Sequence, residues 1–440
     1  MLVVSALCAV GHAGEKEAFP EQQRELELPA LEGLAQTSAG NGALLGSWRA
    51  LASGSTIDIS LSLAERHGGA FVEPEEVHEE LVWADDQRED ADAIAWDRWE
   101  TFAGPLGHAP YAHLVSGTWR EGASGPAGRL WSLAGLLADG AWVLRVECAP
   151  APAAELEQRI AKFLRGGLRY SGEVRDGSWT AEEIAARWEE YSPRDAIEDA
   201  ETTIETEHYM IIGNSSGSRS FAKKMEQAYD EVQEVYSFPE LPGRKKLLVF
   251  LFKTKEQYVQ YFAKIAEISA EQAARSKGHA WRDYYATWYE APGDPVHIHE
   301  ATHQIFMNRL FLTGAGSWFQ EGVAEYISSQ PGDRGAAASA VTRGRHTPLP
   351  EIMEIESLLM SSDADAKGGD GAGDNYKQAA LLVEFVRESK FGKAKFADYI
   401  QRMGRVPDND VAAIEAVLLE LFGTNIADFE REFVRYCQKR

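Results

Sequence analysis

PVHIHEATHQIFMNRLFLTGAGSWFQEGVAEYI, Pro295 to Ile327, carries one complete set of ligands for a divalent metal. At its centre stands His299-Glu300-Ala301-Thr302-His303. On a helix, residues four apart lie on one face, so His299 and His303 can turn their imidazoles toward a single ion. Glu300, one residue on, projects from the flank and can reach a water beside that ion. The pentapeptide alone is often no more than a polar helix face, and the second half of the stretch decides between the readings. Glu321 follows His303 by 18 positions within Trp318-Phe319-Gln320-Glu321-Gly322-Val323-Ala324-Glu325-Tyr326, a second helical pattern entered through Gly314-Ala315-Gly316-Ser317. Glu321 completes a His2Glu set with a fourth position open for water, as catalytic zinc sites have. Glu325, one turn further, can accept the second ring N–H of a ligand histidine. His297 is offset by two from His299, which turns it to another face, where a solvated side chain is expected.

HEATHQ followed by W-x-x-E-G-x-A-E-Y resembles the gluzincin metallopeptidases, and among them the peptidase MA-like domains of secreted bacterial proteins. The resemblance spans about residues 200 to 440. It implies a thermolysin-like fold, zinc (Zn2+) at His299, His303 and Glu321, Glu300 as general base and Glu325 behind a ligand histidine. Gln320 departs from the Asn of many relatives, and a Pro often found before the Trp is missing; neither position is a ligand. Aminopeptidase-type members carry a tyrosine in a Y-x-x-G/A setting whose hydroxyl supports the oxyanion, which makes Tyr376 of Tyr376-Lys377-Gln378-Ala379 the candidate here, against a plain core tyrosine. The G-x-M-E-N element that anchors a free amino terminus is absent, which favours an endopeptidase acting on a peptide or protein. Two rival readings are a non-catalytic envelope or scaffold protein stapled by zinc, and a zinc hydrolase of a non-peptide amide.

The chain of 440 residues has 44% hydrophobic content and a net charge of −25, so it holds material for two to three domains and lacks the basic face that a nucleic-acid or anionic-membrane partner needs. Met1 to Val10 is an apolar run of signal-peptide length before the small residues Gly11 to Gly14, without a basic start, and points to a secreted, periplasmic or cell-envelope protein. No later window is apolar enough to span a membrane. With Cys8 in the leader, Cys148 and Cys437 remain, read as two separately buried thiols in preference to a bridge. Oligomeric state is not encoded legibly.

The expected organisation is α+β: a leader at 1–19, a small antiparallel-sheet domain at 20–175, a connecting helix in 176–199 and the catalytic domain at 200–440 with a helical C-terminal lobe as the second wall of the cleft. Residues 20 to 40 read as a mobile leader with one helical stretch. Thr56 to Leu63 alternates as a half-buried strand, Ala141 to Cys148 is a second, and Glu80 to Trp83 and Tyr111 to Trp119 are shorter candidates. Ala153 to Leu164 reads as a helix burying Leu156, Ile160, Phe163 and Leu164. His78, His108 and His113 show no ligand spacing, and the acidic run Glu73 to Glu100 reads as a solvated face or loop. Trp179 to Tyr191 has a capping box at Thr180 and Glu183. Further on come a strand at His208 to Ile212, a helix burying Phe221, Met225, Tyr229, Val232 and Tyr236, and a doubly buried strand at Leu247 to Phe252. Tyr285 to Glu290 is either the sheet edge on which gluzincins pair an extended peptide or an ordinary inner strand. Ser361 to Asn375 begins like a calcium loop, but Lys367 occupies a ligand position, and a flexible loop is expected.

Overall fold

The computed structural model describes residues 16–19, 24–29, 31–40, 43–64, 75–78, 94–102, 112–119, 126–136, 141–170, 178–191, 202–215, 217–238, 244–281, 284–288, 293–358 and 371–440. The signal-like run, the Glu80 to Trp83 candidate and His108 lie outside them. The chain divides into two compact units, Met1–Ser178 with Glu240–Lys245, and Trp179–Pro239 with Lys246–Arg440.

The first unit is built on a seven-stranded antiparallel sheet in the order 35–38, 44–52, 55–64, 141–149, 128–136, 112–119, 94–102. Period-two alternation puts Ile57, Ile59 and Leu61 of Ser55–Ala64 on one face with Leu144 and Val146 of Ala141–Ala149. The helix Ala154–Gly166 covers that face with the four expected residues, Leu156, Ile160, Phe163 and Leu164. Two expectations are corrected. The leader and the mobile stretch give way to ordered structure from Lys16: Arg24–Glu27 pairs with Lys16–Phe19 on one side and Leu168–Tyr170 on the other in a three-stranded sheet, because Leu26, Leu28, Leu31 and Leu34 are buried in the same core. The acidic run ends in a strand, Ile94–Phe102, held by its ladder to Ala112–Trp119.

The second unit opens with the helix Ala181–Tyr191, whose Thr180 and Glu183 form the expected capping pair. It is no free connection: Trp188 is buried against Phe250 and Phe252. A five-stranded sheet follows in the order 202–205, 209–213, 247–252, 284–288, 278–281, parallel through its three central strands and antiparallel at both edges. Leu247–Phe252 is buried at every residue, as a central strand covered on both faces must be. The peptide-edge reading of Tyr285 to Glu290 is overturned, since Tyr284–Trp288 is an inner strand and the edge is Gly278–Trp281.

Helices pack on this sheet. Ser218–Tyr236 buries the five residues expected of it. Val296–Ile305 continues into a π-helical segment Phe306–Leu310, and Ser317–Ser328 and Gly371–Glu388 lie beyond. The last of these starts at Gly371, so the loop expected through Asn375 ends earlier; residues 359–370 lie outside the description. Phe396–Met403, Val411–Phe422 and Ile426–Lys439 form the helical C-terminal lobe, with Phe385 packed against Phe429 and Phe433. Cys148 and Cys437 are buried free thiols, one in each unit. Among the described residues no helix is long and apolar enough to cross a membrane.

Candidate metal centre

Val296–Ile305 presents two faces with opposite fates. Ile298, Ala301 and Ile305 are buried in the core, while His299 and His303 share the other face and line a cleft of about 710 Å³. His297, expected in solvent, is 1% exposed: its turn of the helix carries it into the core, where Nδ1 lies 3.0 Å from the Tyr285 hydroxyl and Phe221 packs edge-on. The breaker run seats the next helix. Gly316 takes φ +83, a left-handed conformation that glycine adopts without steric cost, and a Cβ there would press on Asn409. From that corner Ser317–Ser328 returns across the cleft. Gln320 donates to the carbonyls of Leu312 and Gly314, fixing the connection that brings Glu321 back.

Glu321 arrives on the histidines. His299 Nε2 lies 3.1 Å from Glu321 Oε2 and 3.2 Å from His303 Nε2, and His303 Nε2 lies 3.5 Å from Glu321 Oε2. Zinc–ligand distances of about 2.0–2.1 Å require tetrahedral donors to stand roughly 3.3–3.4 Å apart, so this triangle has the size and the N/O donor set for zinc. Among the described residues these three form the one group of His, Cys, Asp or Glu donors converging in this way.

The surroundings prepare the donors. His299 Nδ1 is 3.3 Å from Ser328 Oγ and 3.5 Å from Glu325 Oε2, and the Ser328 hydroxyl donates to Glu325. A carboxylate only accepts, so Nδ1 carries a proton toward Glu325, and Nε2 is the nitrogen left for a metal to take. Burial alone would lower the His299 pKa; hydrogen bonds to Glu321 and Glu325 overcome it and hold the metal-free imidazole up at about 10. Burial works against Glu321 ionising, yet the charges of His303 and His299 hold its carboxyl well below the usual range. Both shifts come from the same close contacts between imidazole and carboxylate.

Glu300 stands beside the triangle. The backbone N–H of Ala280, on the edge strand, donates to Glu300 Oε2 at 2.9 Å, leaving the other oxygen for the cleft. Burial raises its pKa, with the nearby histidines pulling the other way. Tyr376 lines the same cleft from Gly371–Glu388, and burial together with the carboxylates of Glu321, Glu300 and Glu325 raises its pKa, so its hydroxyl stays a donor. Gly322 explains how that helix comes so close: a Cβ there would sit 3.0 Å from the Ala379 carbonyl. Among the described residues Tyr376 is the sole contribution of the C-terminal helices to the cleft lining; the lobe from Phe396 onward packs into the core and is not the second wall expected of it.

Sequence reasoning missed three features of the cleft. The edge strand Gly278–Trp281 is four residues long, too short for alternation to register. His279 on that strand is buried among Tyr258, Tyr261 and Phe262, and burial drops its pKa to about 3. Asp333, in the first turn of Pro331–Thr342, also lines the cleft.

The sequence matches no protein family model, and no curated protein matches it. Among solved structures the chain is similar to the M1 zinc metallopeptidase of Deinococcus radiodurans, with a TM-score of 0.28 and 12% identity over 78% of this chain and 94% of that one. A mutant of the M1 zinc metallopeptidase from the same organism gives a TM-score of 0.28 and 12% identity over 74% and 90%. What the site can do follows from its own donors and distances.

Proposed function

We propose that this protein is a zinc-dependent peptidase, an endopeptidase of gluzincin type with a thermolysin-like catalytic unit. The observation that carries the reading is the His299–His303–Glu321 triangle, with donor separations of 3.1, 3.2 and 3.5 Å, beside a carboxylate that is not part of it. A purely structural zinc site has no use for Glu300 in that position. Zinc held by His299, His303 and Glu321 would supply a Lewis acid and lower the pKa of water toward neutrality. Glu300, oriented by the Ala280 N–H, takes the proton from the attacking water and delivers it to the leaving amine. Tyr376 donates its hydroxyl to the oxygen on which negative charge develops. The edge strand Gly278–Trp281 lines the cleft through Gly278, His279 and Ala280, so an extended substrate can lie alongside it. The apolar run at residues 1–10 supports action outside the cytoplasm, in the secreted or periplasmic space.

Metal analysis combined with digestion of a broad peptide library tests this, comparing wild type with Glu300→Gln. Stoichiometric zinc in both proteins and cleavage by wild type alone, at a rate about 10²–10⁴ above the variant, is expected. Zinc without any difference between the two would favour the structural staple, and cleavage confined to non-peptide amides would assign another hydrolase.

A further inference from the structure

Among the described residues the cleft is lined by four carboxylates, Glu300, Glu321, Glu325 and Asp333, and by one lysine, Lys277. Three of the four have work in the centre itself: Glu321 completes the triangle, Glu325 holds His299 and Glu300 is aimed by Ala280. Lys277 does not balance the fourth, because its ammonium lies 2.8 Å from Asp294. The cation next in sequence to Asp333 is turned away as well. Arg334 sets Nε 2.6 Å from the buried Glu384 and donates from Nη1 to the carbonyls of Tyr326 and Ser329 and to the Ser329 hydroxyl. Those bonds anchor the turn at Ser329 and leave Asp333, half-buried, in the cleft lining without a side-chain partner among the described residues.

The charge is also one-sided. Ser328, at the start of the segment that leads to Asp333, touches His299, and Pro295 and Val296 precede His299 by one turn. Past His303 the lining changes to Met307, Thr313 and Gln320, none of them charged. We propose that Asp333 is a specificity-determining residue that selects peptides carrying lysine or arginine on the His299 side of the scissile bond. This rests on the peptidase reading and adds the substrate class to it. A carboxylate near a helix N-terminus also interacts favourably with the helix dipole, which accounts for its place in Pro331–Thr342 but not for a cleft whose remaining charges are all committed.

The test is direct binding to the zinc-loaded, full-length Glu300→Gln protein, read by fluorescence anisotropy. The probes are labelled extended peptides with one position varied among lysine, arginine, norleucine and glutamate. Lysine and arginine peptides are expected to bind about tenfold more tightly than the norleucine peptide at low salt, the size of one charge-assisted contact. The ratio should shrink as ionic strength rises to about 1 M. Adding Asp333→Asn should bring it to about one, and adding Asp333→Lys should shift the preference to glutamate, with zinc content unchanged. Equal binding of lysine and norleucine peptides overturns the proposal. So does an Asp333→Asn protein that melts lower yet keeps the full lysine preference, which would confine the carboxylate to its helix end. Basic-peptide selectivity in a protein that cleaves no peptide, with wild type and Glu300→Gln alike, would leave this assignment standing while the peptidase reading fell.

Discussion

Two histidine pairs, one in each unit, have the same ring separation, 4.9 Å between centroids, and opposite surroundings. In the first unit His78 Nδ1 lies 2.8 Å from His113 Nδ1, His78 Nε2 lies 2.9 Å from Ser132 Oγ, and the two rings are 1% and 2% exposed. In the second unit His299 and His303 meet at their Nε2 atoms, and what joins them is the Glu321 carboxylate at the floor of a cleft. Burial, reinforced by His113 and Arg145, drives the His78 pKa well below the ordinary value and keeps that imidazole neutral. Carboxylates drive His299 the other way. Convergence of imidazoles therefore does not make a metal centre; an anionic third donor and an open side do.

The largest expected difference between the two pairs is in zinc retention. His303→Ala should strip zinc from dialysed protein and with it all peptide cleavage, whereas His113→Ala should leave the zinc content at one per chain, both measured by elemental analysis. Zinc lost from both variants would break the comparison. Next in size, Tyr376→Phe should lower kcat by about 10²–10³ with KM and zinc content little changed, as expected when a donor to the developing oxyanion is removed. A rate within twofold of wild type would return Tyr376 to an ordinary packing role. Glu325→Ala should weaken zinc affinity by roughly 10–100-fold in a competitive chelator titration, because His299 Nδ1 loses the carboxylate that sets its tautomer.

The smallest effect belongs to the sealed pair. His78→Leu removes the partner of His113 and Ser132 and should cost about 1–3 kcal/mol in denaturant unfolding at neutral pH. It should also change the pH profile. A histidine whose folded pKa is depressed contributes stability that is present above its unfolded value, about 6.5, and is lost as pH falls below it. Wild type should therefore lose stability as pH falls below about 6.5, and His78→Leu should lose less of it over the same window. Parallel profiles for the two proteins would show that His78 does not stay neutral in the fold.

How far each pair is legible in the chain follows from how each is built. His299 and His303 share one helix, and four-residue spacing is geometry that the sequence carries locally. Glu321 and Glu325 are legible for the same reason on a second helix, once Gly314 to Ser317 mark its start. The same periodicity identifies the buried faces of Ala154–Gly166 and Ser218–Tyr236. His78 and His113 lie 35 residues apart on a helical turn and a strand, and no spacing rule connects them. The edge strand escapes a sequence reading because sheet order is a tertiary property: Tyr284–Trp288 and Gly278–Trp281 are neighbours in sequence, and only their pairing with Leu247–Phe252 or with solvent distinguishes inner from outer. Residues 16 to 38 look polar enough to be mobile, yet four leucines spaced through them are sufficient to hold them in the core. The solvent reading of His297 fails because a face not directed at the metal is equated with water, when on this helix it is the sheet side.

Zinc K-edge absorption spectroscopy on the zinc-loaded protein addresses the centre most directly. Four nitrogen or oxygen donors at about 2.0–2.1 Å, two of them imidazoles, are expected, with one imidazole lost in His303→Ala. A sulfur donor at about 2.3 Å, or an ion with one imidazole or none in the wild-type protein, would contradict the assignment of His299, His303 and Glu321 as the zinc ligands.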